Sequence, residues 1–253
     1  MTVALNDLDL ALRQLLRPEQ FNDYCPNGLQ VEGNPRVTRV VTGVTACQAL
    51  IEKTAEAGAE LILVHHGYFW RGEDPAVRGM KRARLKALLD NDISLIAYHL
   101  PLDAHPEFGN NAQLGKLLEI EPTGDLGKIN KNSIGLVGKL AEPVECSEFA
   151  RTLREKLGRE PLVIAGNERP VHTIAWCTGA AQGFIEQAID AGVDAYLTGE
   201  VSEQTVHSAR EAGIHFFSAG HHATERYGVQ ALGAFLKREF SIEHQFIDVD
   251  NPV

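Results

Sequence analysis

The chain has 253 residues, of which 44% are hydrophobic, and a formal net charge of −10 at pH 7. This length allows either one large hydrophobic core or two modest ones. The acidic excess argues against tight nucleic-acid binding, which needs a basic face that neutralises many phosphates.

The N-terminal stretch carries Asp7 and Asp9 within an amphipathic pattern, which is not the pattern of a secretion signal. No window has the apolar length of a membrane span. The four cysteines are far apart and form no Cys-x-x-Cys pair. We therefore expect a cytoplasmic protein with reduced thiols and no membrane partner.

An ungapped internal repeat follows the first predicted helix, which covers Leu8 to Leu16. Residues 37–66 align with residues 171–200, and each copy predicts a strand, a helix ending at Ala-Gly and a second strand. Gly58 and Gly192 supply the helix stops. The apolar positions at helical spacing are Leu50, Thr54 and Ala57 in the first copy and Phe184, Ala188 and Ala191 in the second.

The resemblance between the two halves extends beyond the repeat. Residues 93–100 and 214–221 each predict a third strand, and helical patterns follow at residues 111–118 and 223–240. The second half also has a predicted helix at residues 149–157. Repeated strand, helix and strand units predict an α/β fold: two similar lobes from an internal duplication, with mostly parallel mixed sheets flanked by helices.

The boundary between the lobes is predicted near Pro122 to Asn132, a Gly-, Asp-, Lys- and Asn-rich stretch without periodicity. The first lobe then covers residues 1–125 and the second residues 126–219. The C-terminal segment, about residues 220–253, ends in a strand (His244 to Val249) that has no counterpart in the first half. Two placements stay open, in the second lobe or back in the first.

Polar side chains follow the buried strands at their carboxyl ends, where open parallel sheets place ligand sites. His65 and His66 close the apolar run Ile62-Leu63-Val64. Adjacent side chains of a regular strand point to opposite faces, so two imidazoles here require a loop geometry or serve two metals. An isolated histidine is more often a satisfied core or surface residue, and the adjacent pair favours a ligand role.

The third strands bring further candidates. Asp103 follows the first of them, where Pro101 is expected to keep Leu100 extended, and it is a metal ligand or an ordinary capping residue. His99 and His105 are weaker candidates. In the second half, His221 and Glu225 come at the end of the corresponding strand and just after it. Their spacing of four places them on one face of a helix.

Glu200 aligns with His66 in the repeat and also follows a strand. It is a candidate catalytic base, with helix capping as the alternative. The five candidate ligands are His65, His66, Asp103, His221 and Glu225. They are too many for one tetrahedral site and suit two divalent ions. Nitrogen and oxygen donors without thiolate fit Zn, Mn, Fe, Co or Ni.

Several separated motifs resemble the Nif-three-like family of dinuclear metal proteins, the GTP cyclohydrolase I type 2 homologues. They are the stretch Asp23 to Val31, the HHG triplet, HLPLDAHPEFGNN, TGEVSEQTVHSAREAG and AGHHATERYG. The resemblance implies the same five metal ligands and a ring-shaped homohexamer. His222 stands where many relatives carry Tyr, and it is not counted as a ligand.

A dinuclear site with open positions favours metal-dependent hydrolysis of a small molecule such as a purine nucleotide, with Glu225 or Glu200 handling the proton. The first alternative is a metal-binding adaptor ring without turnover, since no phosphate-binding glycine loop is present. The second is an iron-dependent oxidase. A link to DNA-damage responses follows only by family analogy.

Overall fold

The computed structural model describes residues 1–129 and 132–253, so Asn130 and Lys131 of the predicted boundary stretch lie outside the described residues. The strands are β1 (Val3–Ala4), β2 (Gly28–Val31), β3 (Arg36–Val37), β4 (Arg39–Thr45), β5 (Leu61–His66), β6 (Ser94–Ala97), β7 (Glu121–Ile129), β8 (Asn132–Val144), β9 (Leu162–Ile164), β10 (Val171–Cys177), β11 (Ala195–Thr198), β12 (His215–Ser218) and β13 (Glu243–Phe246). The helices are α1 (Leu5–Leu16), α2 (Gln48–Glu56), α3 (Gly79–Asp90), α4 (Leu100–Ala104), α5 (Asn110–Leu117), α6 (Cys146–Leu157), α7 (Ile185–Asp190), α8 (Glu203–Ala212), α9 (His221–Thr224) and α10 (Arg226–Phe240).

The chain divides into two compact units. The first consists of Met1–Leu102 and Gly228–Asp250, and the second of Asp103–Tyr227 and Asn251–Val253. The predicted division at residues 125 and 126 lies within β7 of the second unit. The C-terminal strand β13 belongs to the first unit and pairs with β4.

The first unit is built on a five-stranded sheet in the order β13-β4-β5-β6-β2. Strands β4, β5 and β6 are parallel, β13 is parallel to β4, and β2 is antiparallel to β6. Fully buried apolar side chains such as Val41, Ile62 and Leu95 form the core with Leu50 and Ile51 of α2. The continuous apolar run of β5 is typical of a parallel strand covered on both faces.

The second unit contains a six-stranded sheet in the order β7-β8-β10-β11-β12-β9. Strands β10, β11 and β12 are parallel, whereas β9 and β8 are antiparallel to their neighbours β12 and β10. Trp176, Phe149 and Phe217 are almost completely buried in its core. The α/β class with mixed sheets flanked by helices is therefore confirmed. The first sheet is mostly parallel, whereas the described part of the second has two parallel and three antiparallel pairings.

Two local predictions were wrong. The stretch near Pro122 to Asn132 contains most of β7, which pairs with β8 in an antiparallel ladder. Glycine and proline are uncommon in strands, so the sequence pattern did not indicate one here. In the structure β7 lies at the edge of the sheet and its register shifts after Pro122, and both features accommodate these residues. Leu100 does not stay extended before Pro101 but begins α4, because proline is compatible with the first turn of a helix.

The predicted helix stops are confirmed, since Gly58 and Gly192 both have left-handed backbones, at φ 61° and φ 67°. All four cysteines are free. No helix in the described part of the chain combines the length and the apolar composition that a membrane crossing requires.

Candidate metal centre

The carboxyl end of β5 brings two imidazoles together in the first unit. His65 is fully buried and His66 is half-buried, with ring centroids 4.5 Å apart. The carbonyl oxygen of Tyr98 lies 2.9 Å from His65 Nδ1. A carbonyl can only accept, so His65 Nδ1 carries the hydrogen and Nε2 is the nitrogen suited to a metal ion.

A third imidazole joins this pair. The ring of His99, two residues after β6, lies 5.1 Å from His65 and 5.8 Å from His66. One potential ligand atom from each of the three histidines lies within 4.8 Å of the others. His99 was a weaker candidate in the sequence, because nothing local to it indicated this proximity.

Asp23 holds His99 in place. Its carboxylate lies 2.7 Å from His99 Nδ1 and also accepts hydrogen bonds from Asn27 Nδ2 and the backbone N–H groups of Tyr24 and Leu100. Burial raises the pKa of Asp23, but the hydrogen bond and charge of His99, with the other donors, outweigh it, so the pKa is lowered. Sequence reasoning assigned Asp23 no role, and its only signal was the family motif that contains it.

Asp103 lies in a buried polar network of the second unit. Its Oδ1 accepts a hydrogen bond from Asn110 Nδ2 at 2.9 Å and lies 3.5 Å from Thr178 Oγ1. Asn111 donates to the backbone oxygens of Asp103 and Ile134, and it accepts from the N–H of Thr178. These contacts fix the Asp103 carboxylate, which is only 6% exposed.

His221 and Glu225 form the predicted pair of the second unit. The distance from His221 Nε2 to Glu225 Oε2 is 3.1 Å, although α9 ends at Thr224, one residue before Glu225. A carboxylate oxygen of Glu225 also lies within 4.8 Å of one of Asp103. The spacing of four residues therefore produces the expected proximity.

Glu200 contacts the opposite nitrogen of the same imidazole. Its Oε1 lies 2.7 Å from His221 Nδ1, so the carboxylate accepts the Nδ1 hydrogen and Nε2 faces Glu225. Burial lowers the pKa of His221, but the hydrogen bonds and charges of Glu225 and Glu200 outweigh it and raise the pKa to about 9. Through this contact Glu200 orients the His221 ring.

Two nearby residues are not organised as ligands. His105 Nδ1 accepts backbone hydrogen bonds from Glu107 and Phe108, at 3.2 Å and 3.0 Å. Cys177 is buried, and burial together with the charges of Asp103 and Glu225 raises the pKa of its thiol well above the usual value. A protonated thiol is a poor metal ligand, so nitrogen and oxygen donors dominate the site.

The donor chemistry fits divalent cations. Asp103 and Glu225 are two carboxylates, 6% and 3% exposed, that lie within 4.8 Å of each other. Buried like charges at this distance need a positive partner, which a metal ion supplies and which a protonated His221 supplies in its place. Each unit of this α/β protein thus carries a group of candidate metal ligands, three imidazoles in the first and two carboxylates with an imidazole in the second.

Comparison with known proteins narrows this class to one family. Residues 3–252 match the family described as Duf34/NIF3 (NGG1p interacting factor 3), and the chain belongs to this family. The resemblance noted in the sequence is therefore confirmed.

Two relatives match over almost their whole lengths. The protein of Pseudomonas aeruginosa named "GTP cyclohydrolase 1 type 2 homolog" is 62% identical, with 100% of both chains covered. The protein of Escherichia coli K12 with the same name is 51% identical, over 97% of this chain and 98% of its own.

Solved structures show the same fold. The protein ybgI, described as of unknown function, superposes with a TM-score of 0.95 at 50% identity, covering 99% of this chain and 100% of its own. TTHA1606 from Thermus thermophilus gives a TM-score of 0.88 at 33% identity, with the same coverage. HcgD from Methanocaldococcus jannaschii, at 22% identity, shows the fold alone.

Proposed function

We propose that this protein binds two divalent metal ions per chain, as Zn, Mn, Fe, Co or Ni, and uses them to hydrolyse a small molecule. The proposed ligands are His65, His66, Asp103, His221 and Glu225. The observation that carries the proposal is the pair of buried carboxylates, Asp103 and Glu225, within 4.8 Å of each other. Cation binding offsets their mutual repulsion and their desolvation.

The surrounding hydrogen bonds support this ligand set. Tyr98 fixes the tautomer of His65, Glu200 fixes that of His221, and Asn110 occupies one oxygen of Asp103. All three partners orient the ligands, and the acceptors on His65 and His221 also raise the basicity of those two imidazoles. Each side chain is thereby presented to an ion without the entropy cost of ordering it at the moment of binding.

Two divalent ions supply Lewis-acid activation of water and stabilise negative charge on a substrate. In this reaction Glu225 or Glu200 handles the proton, and the contact between Glu200 and His221 keeps a carboxylate close to the site. A purine nucleotide is our proposed substrate, on the support of the relatives named GTP cyclohydrolase 1 type 2 homologues. We further propose a cytoplasmic homohexamer, which light scattering of the purified protein tests.

The first experiment is elemental analysis of metal per chain in the wild type, His65→Ala and Glu225→Ala, all purified without added metal or chelator. We expect close to two ions in the wild type and the loss of at least one in each variant. His207→Ala is the control, because this histidine is 62% exposed and pairs with Glu203 on α8. Wild type that neither holds nor rebinds metal contradicts the proposal.

Turnover is tested with the metal-loaded protein and GTP, following formate and phosphate release. We expect hydrolysis that disappears in Asp103→Ala. If the protein retains metal but releases neither product from any nucleotide, the proposed nucleotide substrate is wrong and the proposed metal site still stands.

A further inference from the structure

Aromatic side chains with no role in metal binding border the imidazole cluster of the first unit. Tyr24 is 49% exposed and Trp70 is half-buried. A single exposed apolar residue has no special meaning, whereas aromatic rings grouped beside candidate ligands are typical of a ligand site.

Trp70 is fixed against the histidines. Its indole N–H donates to the carbonyl of Gly67 at 3.1 Å, and its ring lies 5.0 Å from that of His99 at an interplanar angle of 81°. The ring is also 6.0 Å from His66. Phe69, just before it, has a left-handed backbone at φ 66°, an unfavourable conformation for a residue with a large side chain. Strain of this kind is concentrated at functional sites.

Tyr24 approaches His99 from a second loop. The two rings are 6.3 Å apart in an edge arrangement. Arg71 joins this loop to the one that carries Trp70, because its backbone N–H donates to Tyr24 O at 2.7 Å and its guanidinium donates to Asp23 O and Asn22 Oδ1. The two aromatic residues therefore form part of one hydrogen-bonded surface.

His99 contributes a polar group to the same surface. Its backbone N–H donates to Asn27 Oδ1 at 2.7 Å, and its Nδ1 hydrogen is directed to Asp23. The residue is thus fixed through its backbone and its ring through Nδ1, so Nε2 is the ring nitrogen that Asp23 does not engage. Asp23, which belongs to one of the family motifs, therefore positions the ring of His99.

We propose that Tyr24, Trp70 and His99 form an aromatic wall that binds a planar heteroaromatic ring of the substrate. The inference rests on the proposed function and adds the residues that recognise the ring of the substrate. Trp70 provides a face on which the ring stacks, and His99 provides a hydrogen bond to a polar edge of the ring. Purines and pterins combine a flat aromatic face with hydrogen-bonding groups along the edge of the ring, whereas a sugar phosphate has no aromatic ring.

The test compares ligands with and without such a ring on the metal-loaded protein. Calorimetry gives the affinities of GMP, AMP and 6-carboxypterin, with ribose 5-phosphate as the ring-free probe. Trp70→Leu is expected to weaken the tightest ring ligand about 5-fold to 100-fold, the range of base–aromatic stacking. Ribose 5-phosphate affinity is expected to stay unchanged, and Trp70→Phe is expected to restore most of the ring affinity.

Two further measurements sharpen the result. The chain has only two tryptophans, and Trp176 is fully buried, so ligand-induced quenching of fluorescence reports on Trp70. His99→Gln is expected to lower ring affinity by a similar factor without changing ribose 5-phosphate affinity. His207→Gln is the matched control and keeps wild-type values.

Three results overturn the aromatic wall: no ring ligand binds the wild type more tightly than ribose 5-phosphate, Trp70→Leu binds the rings as the wild type does, or Trp70→Leu changes the oligomeric state alone. Metal content of the same samples separates the two proposals. Retained metal without ring preference overturns only the aromatic wall. Wild type without metal overturns the proposed function and this inference with it.

Discussion

The two units share a scaffold but differ at their strand ends. In each, three parallel strands are flanked by an antiparallel one, and a carboxylate just before the middle strand accepts hydrogen bonds from the start of the preceding strand. Glu60 does this in the first unit and Asp194 in the second. Beyond the strand ends, the first unit presents three imidazoles and the second two carboxylates with one imidazole. The two units therefore have similar strand arrangements but different side chains at the ends of their strands.

A second difference concerns how the strand-end groups are held. Each unit has a carboxylate 2.7 Å from a histidine Nδ1, Asp23 with His99 and Glu200 with His221. Asp23 is nearly buried, with 3% of its side chain exposed, while Glu200 is 34% exposed. Similar pairs therefore serve different environments, and three matched pairs of variants test the contrast.

The largest expected effect is on stability. Asn111→Ala removes three hydrogen bonds in a fully buried network, whereas Asn27→Ala acts in a half-buried loop. We expect losses in the free energy of unfolding of about 3 kcal/mol and about 1 kcal/mol. Urea titration of the metal-free protein measures both. The exposed control Asn6→Ala should stay within about 0.5 kcal/mol of wild type, and equal losses at Asn27 and Asn111 would disprove the role of burial.

The next effect is on metal affinity. Glu200→Gln removes the charge that orients His221, and we expect a loss of about 10-fold to 100-fold in zinc affinity. Asp23→Asn should change zinc affinity less than about 2-fold, since His99 is outside the proposed ligand set. Competition with a chromophoric chelator measures both constants. If the two variants lose affinity equally, His99 is a ligand and the assignment of roles is wrong.

The smallest effect concerns the carboxylates shared by both scaffolds. Burial raises the pKa of Glu60 and of Asp194, but backbone and threonine donors outweigh it and lower both. A lowered folded-state pKa gives stability that is present above the ordinary value and is lost as pH falls through the folded value. Glu60→Gln and Asp194→Asn should each cost about 1 kcal/mol at neutral pH. The deficit should shrink below about pH 4 in urea titrations, and a deficit independent of pH would refute the assigned cause.

Sequence patterns predicted the groups whose positions follow from local periodicity. The apolar run of β5 correctly predicted that His65 and His66 lie at the end of a strand. The spacing of four residues correctly predicted that His221 lies beside Glu225. Asp23 and His99 are 76 residues apart, and no local pattern encodes their contact. The strand β7 was missed because its glycines and Pro122 weaken the strand signal, which its pairing with β8 overrides.

The position of β13 imposes an order on biosynthesis. This strand pairs in parallel with β4, about 200 residues earlier in the chain, whereas the second unit is built almost entirely from the continuous stretch Asp103–Tyr227. On the ribosome the second unit has its strands available first. Until Glu243–Phe246 emerges, β4 is an open edge, and unpaired edges recruit other chains. A nascent chain stalled before this strand is therefore the form most exposed to aggregation.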